Sequence, residues 1–203
     1  MRAPVLVSSP TRSPTPGTTF LLGVCGVSID AAVNVGDIFR RFLDNAPDEN
    51  GLPTRAVFRK SLQDSLASLV DDSYDQITIV GHSFGAVVAL DAIAEGLERR
   101  VRFVTLGGFL SFLSTRSPWL PDRIKECCES ANLVSWNDYY SEDDPFAGAA
   151  PFPAHKGDLH TQVVDNRANF YDSLTGKSHK MYYQNSFVRD AIFDCPRPPR
   201  VRA

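Results

Sequence analysis

Gln76-Ile77-Thr78-Ile79-Val80-Gly81-His82-Ser83-Phe84-Gly85-Ala86-Val87-Val88-Ala89 is the stretch that decides the fold. Gln76 to Val80 is a short β-branched run, the expected form of a strand buried on both faces of a parallel sheet. From Phe84 to Leu97 the residues suit a helix, with Gly85, Ala86, Ala89 and Ala92 small where it should meet that sheet. Between them Gly81, His82 and Ser83 allow only a tight turn. The same alternation continues on both sides. Phe20 to Val24 reads as a buried strand, and Val35, Ile38, Phe39, Phe42 and Leu43 recur at helical spacing. Asn50-Gly51-Leu52-Pro53 breaks the chain, and Thr54 is expected to cap a second helix carrying Phe58, Leu62, Leu66 and Leu69. Val101 to Leu106 is the next strand, closed by Gly107-Gly108. A long irregular stretch with Pro118 and Pro121 follows, then a strand over Asn132 to Trp136 and a helix near Asn185 to Phe193. Strands alternating with helices predict an α/β fold with a mostly parallel central sheet and helices on both faces.

Gly81-His82-Ser83-Phe84-Gly85 also fits G-x-S-x-G, and a strand runs into it while a helix runs out. That context is what a nucleophile elbow requires. A serine on so tight a turn projects its hydroxyl from the carboxyl edge of the sheet. Gly81 and Gly85 flank it because a Cβ at either place would strike the neighbouring strand or helix. The N–H of Phe84 is then expected to face a developing oxyanion at the positive end of the following helix. His82, next to the serine, reads as structural.

A serine near neutral pH needs a base, usually a histidine held in one tautomer by a carboxylate. Chain order in such folds is serine, acid, histidine. Three histidines follow Ser83, namely His155, His160 and His179. His179 precedes the last helix, where the base belongs, and His160 is the fallback. Beyond the Asn132–Trp136 strand lies Glu142-Asp143-Asp144-Pro145. Pro145 biases Asp144 to an extended conformation, which makes it the first candidate for the orienting acid; Asp143 is the alternative.

Composition bounds the rest. The chain has 203 residues, 43% hydrophobic and 22% charged, which suits one globular domain. Residues 1–19 read as a flexible lead-in, 20–195 as the folded domain and 196–203 as a loose tail. A net charge of −3 gives no electrostatic reason to expect nucleic acid as a partner. Cys25, Cys127, Cys128 and Cys195 form no C-x-x-C pair and read as reduced thiols, which points to a cytoplasmic protein. Phe20 to Val35 is apolar but shorter than the roughly 20 residues that cross a bilayer. A membrane surface is therefore not indicated as a partner, though docking of this segment on one is a reading to test. The oligomeric state is not legible.

Three segments carry a resemblance to a known family. They are Ile77 to Ala89; Phe103 to Gly108 with Trp136-Asn137-Asp138-Tyr139-Tyr140 and Asp143-Asp144-Pro145; and Ser178-His179-Lys180-Met181-Tyr182-Tyr183. In this order the chain resembles the α/β-hydrolase superfamily, and more narrowly its lipase- and esterase-like bacterial members. The resemblance implies a triad at Ser83, Asp144 and His179 and hydrolysis of a small-molecule acyl ester, with no metal or organic cofactor. It also implies a second oxyanion amide after an early strand. No His-Gly pair precedes Ser83, and the best substitute is Gly23-Val24-Cys25-Gly26-Val27, with Gly26 as the donor. The region before Ser83 is short for the full fold, so a minimal version, or one lacking part of its amino end, is expected. Phe109, Leu110, Phe112 and Leu113 follow the Gly107-Gly108 turn where a pocket should open, with Trp119 and Leu120 as a cap over it; ordinary core is the equal alternative for all of them. The rival expectation is a catalytically weak or inactive domain of this fold that binds an apolar ligand or a protein partner.

Overall fold

A computed structural model describes residues 5–7, 19–24, 32–69, 76–153, 158–168 and 177–193. Six strands form one sheet in the sequential order β1-β2-β3-β4-β5-β6. They are β1 (Val5–Val7), β2 (Thr19–Val24), β3 (Gln76–His82), β4 (Val101–Leu106), β5 (Leu133–Tyr140) and β6 (Leu159–Val163). β1 runs antiparallel to β2, and β2 through β6 are parallel. The fold is thus α/β with a mostly parallel sheet. β1 falls in the segment expected to be a flexible lead-in; residues 8–18 and 194–203, the latter including the expected loose tail 196–203, lie outside the described residues.

Parallel neighbours need crossovers, and here helices supply most of them: α1 (Ala32–Asp44), α2 (Thr54–Ala67), α3 (Phe84–Glu95), α4 (Leu110–Ser114) and α5 (Leu120–Glu129). A sequential order with right-handed crossovers places such helices on one face. The core agrees. Ile77, Ile79, Phe103 and Trp136 pack on that face with Phe42, Leu62, Leu90 and Ile124. The alternate strand residues Val80, Val104, Leu106 and Tyr139 face the other way. There they meet a 3-10 helix (Ser178–Gln184) through Tyr182 and α6 (Ser186–Phe193) through Val188 and Ile192. Helices therefore cover both faces. α3 is buried along Phe84–Ile93, and Ala86, Ala89 and Ala92 are fully covered. A helix apolar on every side is stable only in such a wrapped position. Asp91, fully buried on α3, pairs with Arg59 of α2 and Arg123 of α5, so one carboxylate ties three helices together.

Two local expectations are corrected. Thr54 is the first residue of α2 and not its cap; Pro53 holds the N-cap position, and the Thr54 hydroxyl donates to the Ala46 carbonyl at 2.6 Å. The stretch expected to be irregular after Gly108 holds α4 and α5. Pro121 sits in the first turn of α5, where no intrahelical N–H is needed, and Leu120, Ile124, Cys127 and Cys128 form its buried side. Of the two readings of Trp119 and Leu120 the structure favours core: Leu120 is fully buried, and the half-buried Trp119 packs against the same cluster and donates its Nε1–H to the Leu43 carbonyl. Cys127 and Cys128 are both buried. No helix among the described residues is long and apolar enough to cross a membrane.

Candidate active site

In a parallel sheet all carboxyl ends meet at one edge, where crevices for ligands form. The register sets His82 of β3 beside Leu106 of β4, and Leu106 beside Tyr139 of β5. Ser83, Gly107 and the loop carrying Asp144 therefore leave the sheet together.

Ser83 has φ +58° and ψ −128°. A non-glycine residue held there stores roughly 1–3 kcal/mol of strain, so its surroundings must fix it. They do so on both sides. The Ser83 N–H donates to the Leu106 carbonyl at 3.0 Å, and the Ser83 carbonyl accepts from the Ala86 N–H at 3.1 Å. Gly81 makes the sharp turn sterically feasible, because a Cβ there would lie 2.6 Å from the Ala86 Cα. Phe84 is the first residue of α3, so its N–H has no intrahelical partner and is free to bind a ligand oxygen. Phe84 itself is anchored by its ring, which stacks on Phe39 and meets Phe42 edge-on.

His179 lies in the 3-10 helix, and its Nδ1 is 2.7 Å from Asp144 Oδ2. Beside an acceptor-only carboxylate, Nδ1 carries the proton, which leaves the lone pair on Nε2. His179 Nε2 is buried and has no hydrogen-bond partner. No hydrogen bond therefore joins it to Ser83 in this structure. His179 packs against His82, the residue before Ser83, with the two ring centroids 4.8 Å apart. His82 Nε2–H donates to the His179 carbonyl at 2.6 Å. Burial first, then the adjacent His179, push the His82 pKa down to about 4, so at neutral pH it is an uncharged donor. The Phe109 ring lies parallel to the His179 ring at 5.5 Å, and Phe146 meets it edge-on at 5.8 Å.

Asp144 is 2% exposed. Besides His179 it accepts the Phe146 N–H on Oδ1 at 3.1 Å and the Tyr182 hydroxyl on Oδ2 at 2.9 Å. The chain makes room for this with Gly107, at φ +55°, where a Cβ would lie 2.7 Å from the Tyr182 ring and 3.0 Å from Asp144 Oδ2. A second buried carboxylate, Asp138, supports the same loop from behind. It accepts the Thr105 hydroxyl at 2.6 Å and the Ala150 N–H at 2.7 Å. Burial raises its pKa to about 6.

The structure thus brings His179 and Asp144 into contact, and ties the segment of His179 to His82, the neighbour of Ser83 in the chain. The hydrogen bond to His179 is made by Asp144, whereas the Asp143 N–H meets the Ser141 hydroxyl at 3.4 Å. His160 is exposed on the edge strand β6. His155 and Gly26 lie outside the described residues. Of the residues expected at a pocket mouth, Leu110 and Leu113 are buried core and Phe112 is exposed. A cavity of about 520 Å³, lined by residues such as Val164, Asn166, Met181 and Phe187, is not lined by Ser83, Asp144 or His179. Sequence reasoning missed Tyr182 and the role of His82. The signal for Tyr182 was its spacing of three from His179, which puts both on one side of a 3-10 helix. Among the described residues no group of acidic, cysteine or histidine side chains is placed to hold a metal ion.

No protein-family model matches the chain, and no curated protein matches it. Among solved structures it is similar to an esterase from Pyrococcus furiosus, with 13% identity and a TM-score of 0.35 over 62% of this chain. The match spans 60% of that esterase's own chain. At this level of likeness neither fold nor activity is carried across.

Proposed function

We propose that the chain is a serine hydrolase of the lipase or esterase type, cleaving a carboxylic ester through an acyl-enzyme on Ser83. The observation that carries the reading is the conjunction of a strained serine at a strand-to-helix turn with a histidine whose Nδ1 is bound to a buried carboxylate. Strain of this kind is kept where it serves a site. In the proposed reaction His179 Nε2 takes the Ser83 proton as Oγ attacks the ester carbonyl. Asp144 stabilises the imidazolium so formed, and the Phe84 N–H donates to the oxyanion. Collapse returns the proton to the leaving alcohol; water, activated by the same histidine, then hydrolyses the acyl group from Ser83. Gly26 is the proposed second oxyanion donor. Its support is the register, which pairs Val24, the end of β2, with Gly81 at the base of the elbow.

The second reading is a non-catalytic domain of the same fold that binds an apolar ligand or a protein partner. It is favoured by the absence of a hydrogen bond on His179 Nε2. Intact-mass analysis after treatment with a fluorophosphonate separates the two. One adduct on the parent and none on Ser83→Ala is the expected result. A folded parent that takes no adduct refutes the hydrolase and leaves the binding domain.

A further inference from the structure

We infer that Tyr182 is a positioning residue, whose hydroxyl fixes the Asp144 carboxylate and tunes how strongly it holds the proton on His179. The inference rests on the reading of Ser83, Asp144 and His179 proposed above.

Tyr182 is fully buried, and its ring belongs to the core on the sheet face opposite α3. Packing alone would be served as well by phenylalanine. The hydroxyl, however, has two ordered partners. It accepts the Ser141 N–H at 3.0 Å, which leaves its own proton to donate, and that proton goes to Asp144 Oδ2 at 2.9 Å. The same oxygen accepts from His179 Nδ1 at 2.7 Å. Ser141 N–H, Tyr182 O–H, Asp144 and His179 therefore form one polarised chain running from the end of β5 to the base. Burial first, then the Asp144 charge, push the phenol pKa well above its ordinary value, so the hydroxyl remains a donor at any working pH.

The 3-10 helix is what allows this. Residues three apart eclipse one another in that geometry, so His179 and Tyr182 approach one carboxylate from the same side. Gly107 is the other half of the arrangement, since any Cβ there would displace the ring. A second donor on Oδ2 has two consequences. Together with the Phe146 N–H on Oδ1, it restrains the carboxylate from turning about its own axis. It also adds to the hydrogen bonds that share the carboxylate charge, which weakens the pull on the imidazolium proton.

Removing the hydroxyl should do two separable things. With one donor fewer sharing the carboxylate charge, the imidazolium is favoured, and the acid limb of Ser83 labelling moves to higher pH. With the carboxylate held besides His179 only by the Phe146 N–H, the plateau rate falls by roughly tenfold, or about 1.4 kcal/mol. A residue that only fills space would lower stability and leave the acid limb in place.

The test is the pH dependence of fluorophosphonate labelling at Ser83, measured for the parent, for Tyr182→Phe and for the parent carrying 3-fluorotyrosine at position 182. Fluorination keeps the shape but makes the phenol a stronger donor, so its acid limb should move to lower pH, opposite to that of Tyr182→Phe. Thermal unfolding of each protein accompanies the kinetics. If Tyr182→Phe does not fold, the fluorotyrosine protein decides by the direction of its shift. A labelled parent whose acid limb is unmoved by the folded variants overturns the inference alone. A folded parent that takes no adduct overturns the hydrolase reading, and the inference with it.

Discussion

His82 and Asp138 should titrate against each other in their effect on stability. Asp138 is buried, and its pKa rises from 3.8 to about 6. The folded state therefore keeps a proton that the unfolded chain releases. The stability this contributes is complete below pH 3.8 and is lost as pH rises through about 6. His82 is depressed from 6.5 to about 4, so its contribution is complete above pH 6.5 and is lost as pH falls through about 4. Each shift spans about two units or slightly more, or ~3 kcal/mol at about 1.4 kcal/mol per unit. Over pH 4 to 6 the two nearly cancel. Chemical denaturation of the parent, Asp138→Asn and His82→Gln at pH 7, 6, 5 and 4 exposes them. Relative to the parent, Asp138→Asn should lose stability on acidification and His82→Gln should gain it. Gln is chosen because its Nε2 can still donate to the His179 carbonyl. Taking differences from the parent removes every titration the proteins share. Variants that track the parent across the range, or that diverge in the same direction, would refute the reasoning.

Asp144→Asn should leave the fold in place but favour the wrong His179 tautomer; by analogy with other triads, labelling at Ser83 should slow by roughly 10⁴-fold. Gly107→Ala should drive Tyr182 and Asp144 apart, because its Cβ would lie 2.7 Å from the tyrosine ring, and labelling should fall with it. Gly81→Ala should destabilise the protein by about 1–3 kcal/mol or more, since the Cβ meets backbone that cannot move aside. Thermal unfolding measures this, with Gly108→Ala as the milder comparison, its Cβ 3.3 Å from that of Ala86.

The parts of the fold legible in the sequence are those where one physical cause dominates. β3, β4 and α3 are buried all round, so their β-branched and small residues announce them. β5 runs four residues past the apparent end at Trp136, because Asn137 and Asp138 look like loop residues until Thr105 and Ala150 are seen to satisfy the Asp138 carboxylate. β6 is an edge strand with four of its five residues exposed, so it has no apolar signature. α5 was hidden by Pro121, although a proline in a first turn costs nothing. Chain order and Pro145 were enough to put Asp144 first as the partner of His179, and the two side chains do meet. His82 and Tyr182 act through long-range hydrogen bonds to residues 97 and 38 positions away, which no local pattern encodes.

The three segments of the site hold one another by polar contacts that would not arise from packing alone. The elbow is tied to β4 through the Ser83 N–H and to the histidine segment through His82. The histidine segment is tied to the acid loop twice, through His179 and Tyr182. The acid loop is tied to β4 through Asp138 and Thr105. The connections close a ring, so a shift in one segment must strain at least two hydrogen bonds. Such rigidity is worth its cost when a misplacement of 1 Å can lower a rate by roughly 100-fold. One link remains unmade, between His179 Nε2 and the Ser83 hydroxyl. It is also the one link that a ligand would break and remake in the proposed reaction. The ring of contacts accordingly holds the main chain of all three segments, and the Ser83 hydroxyl takes no part in it.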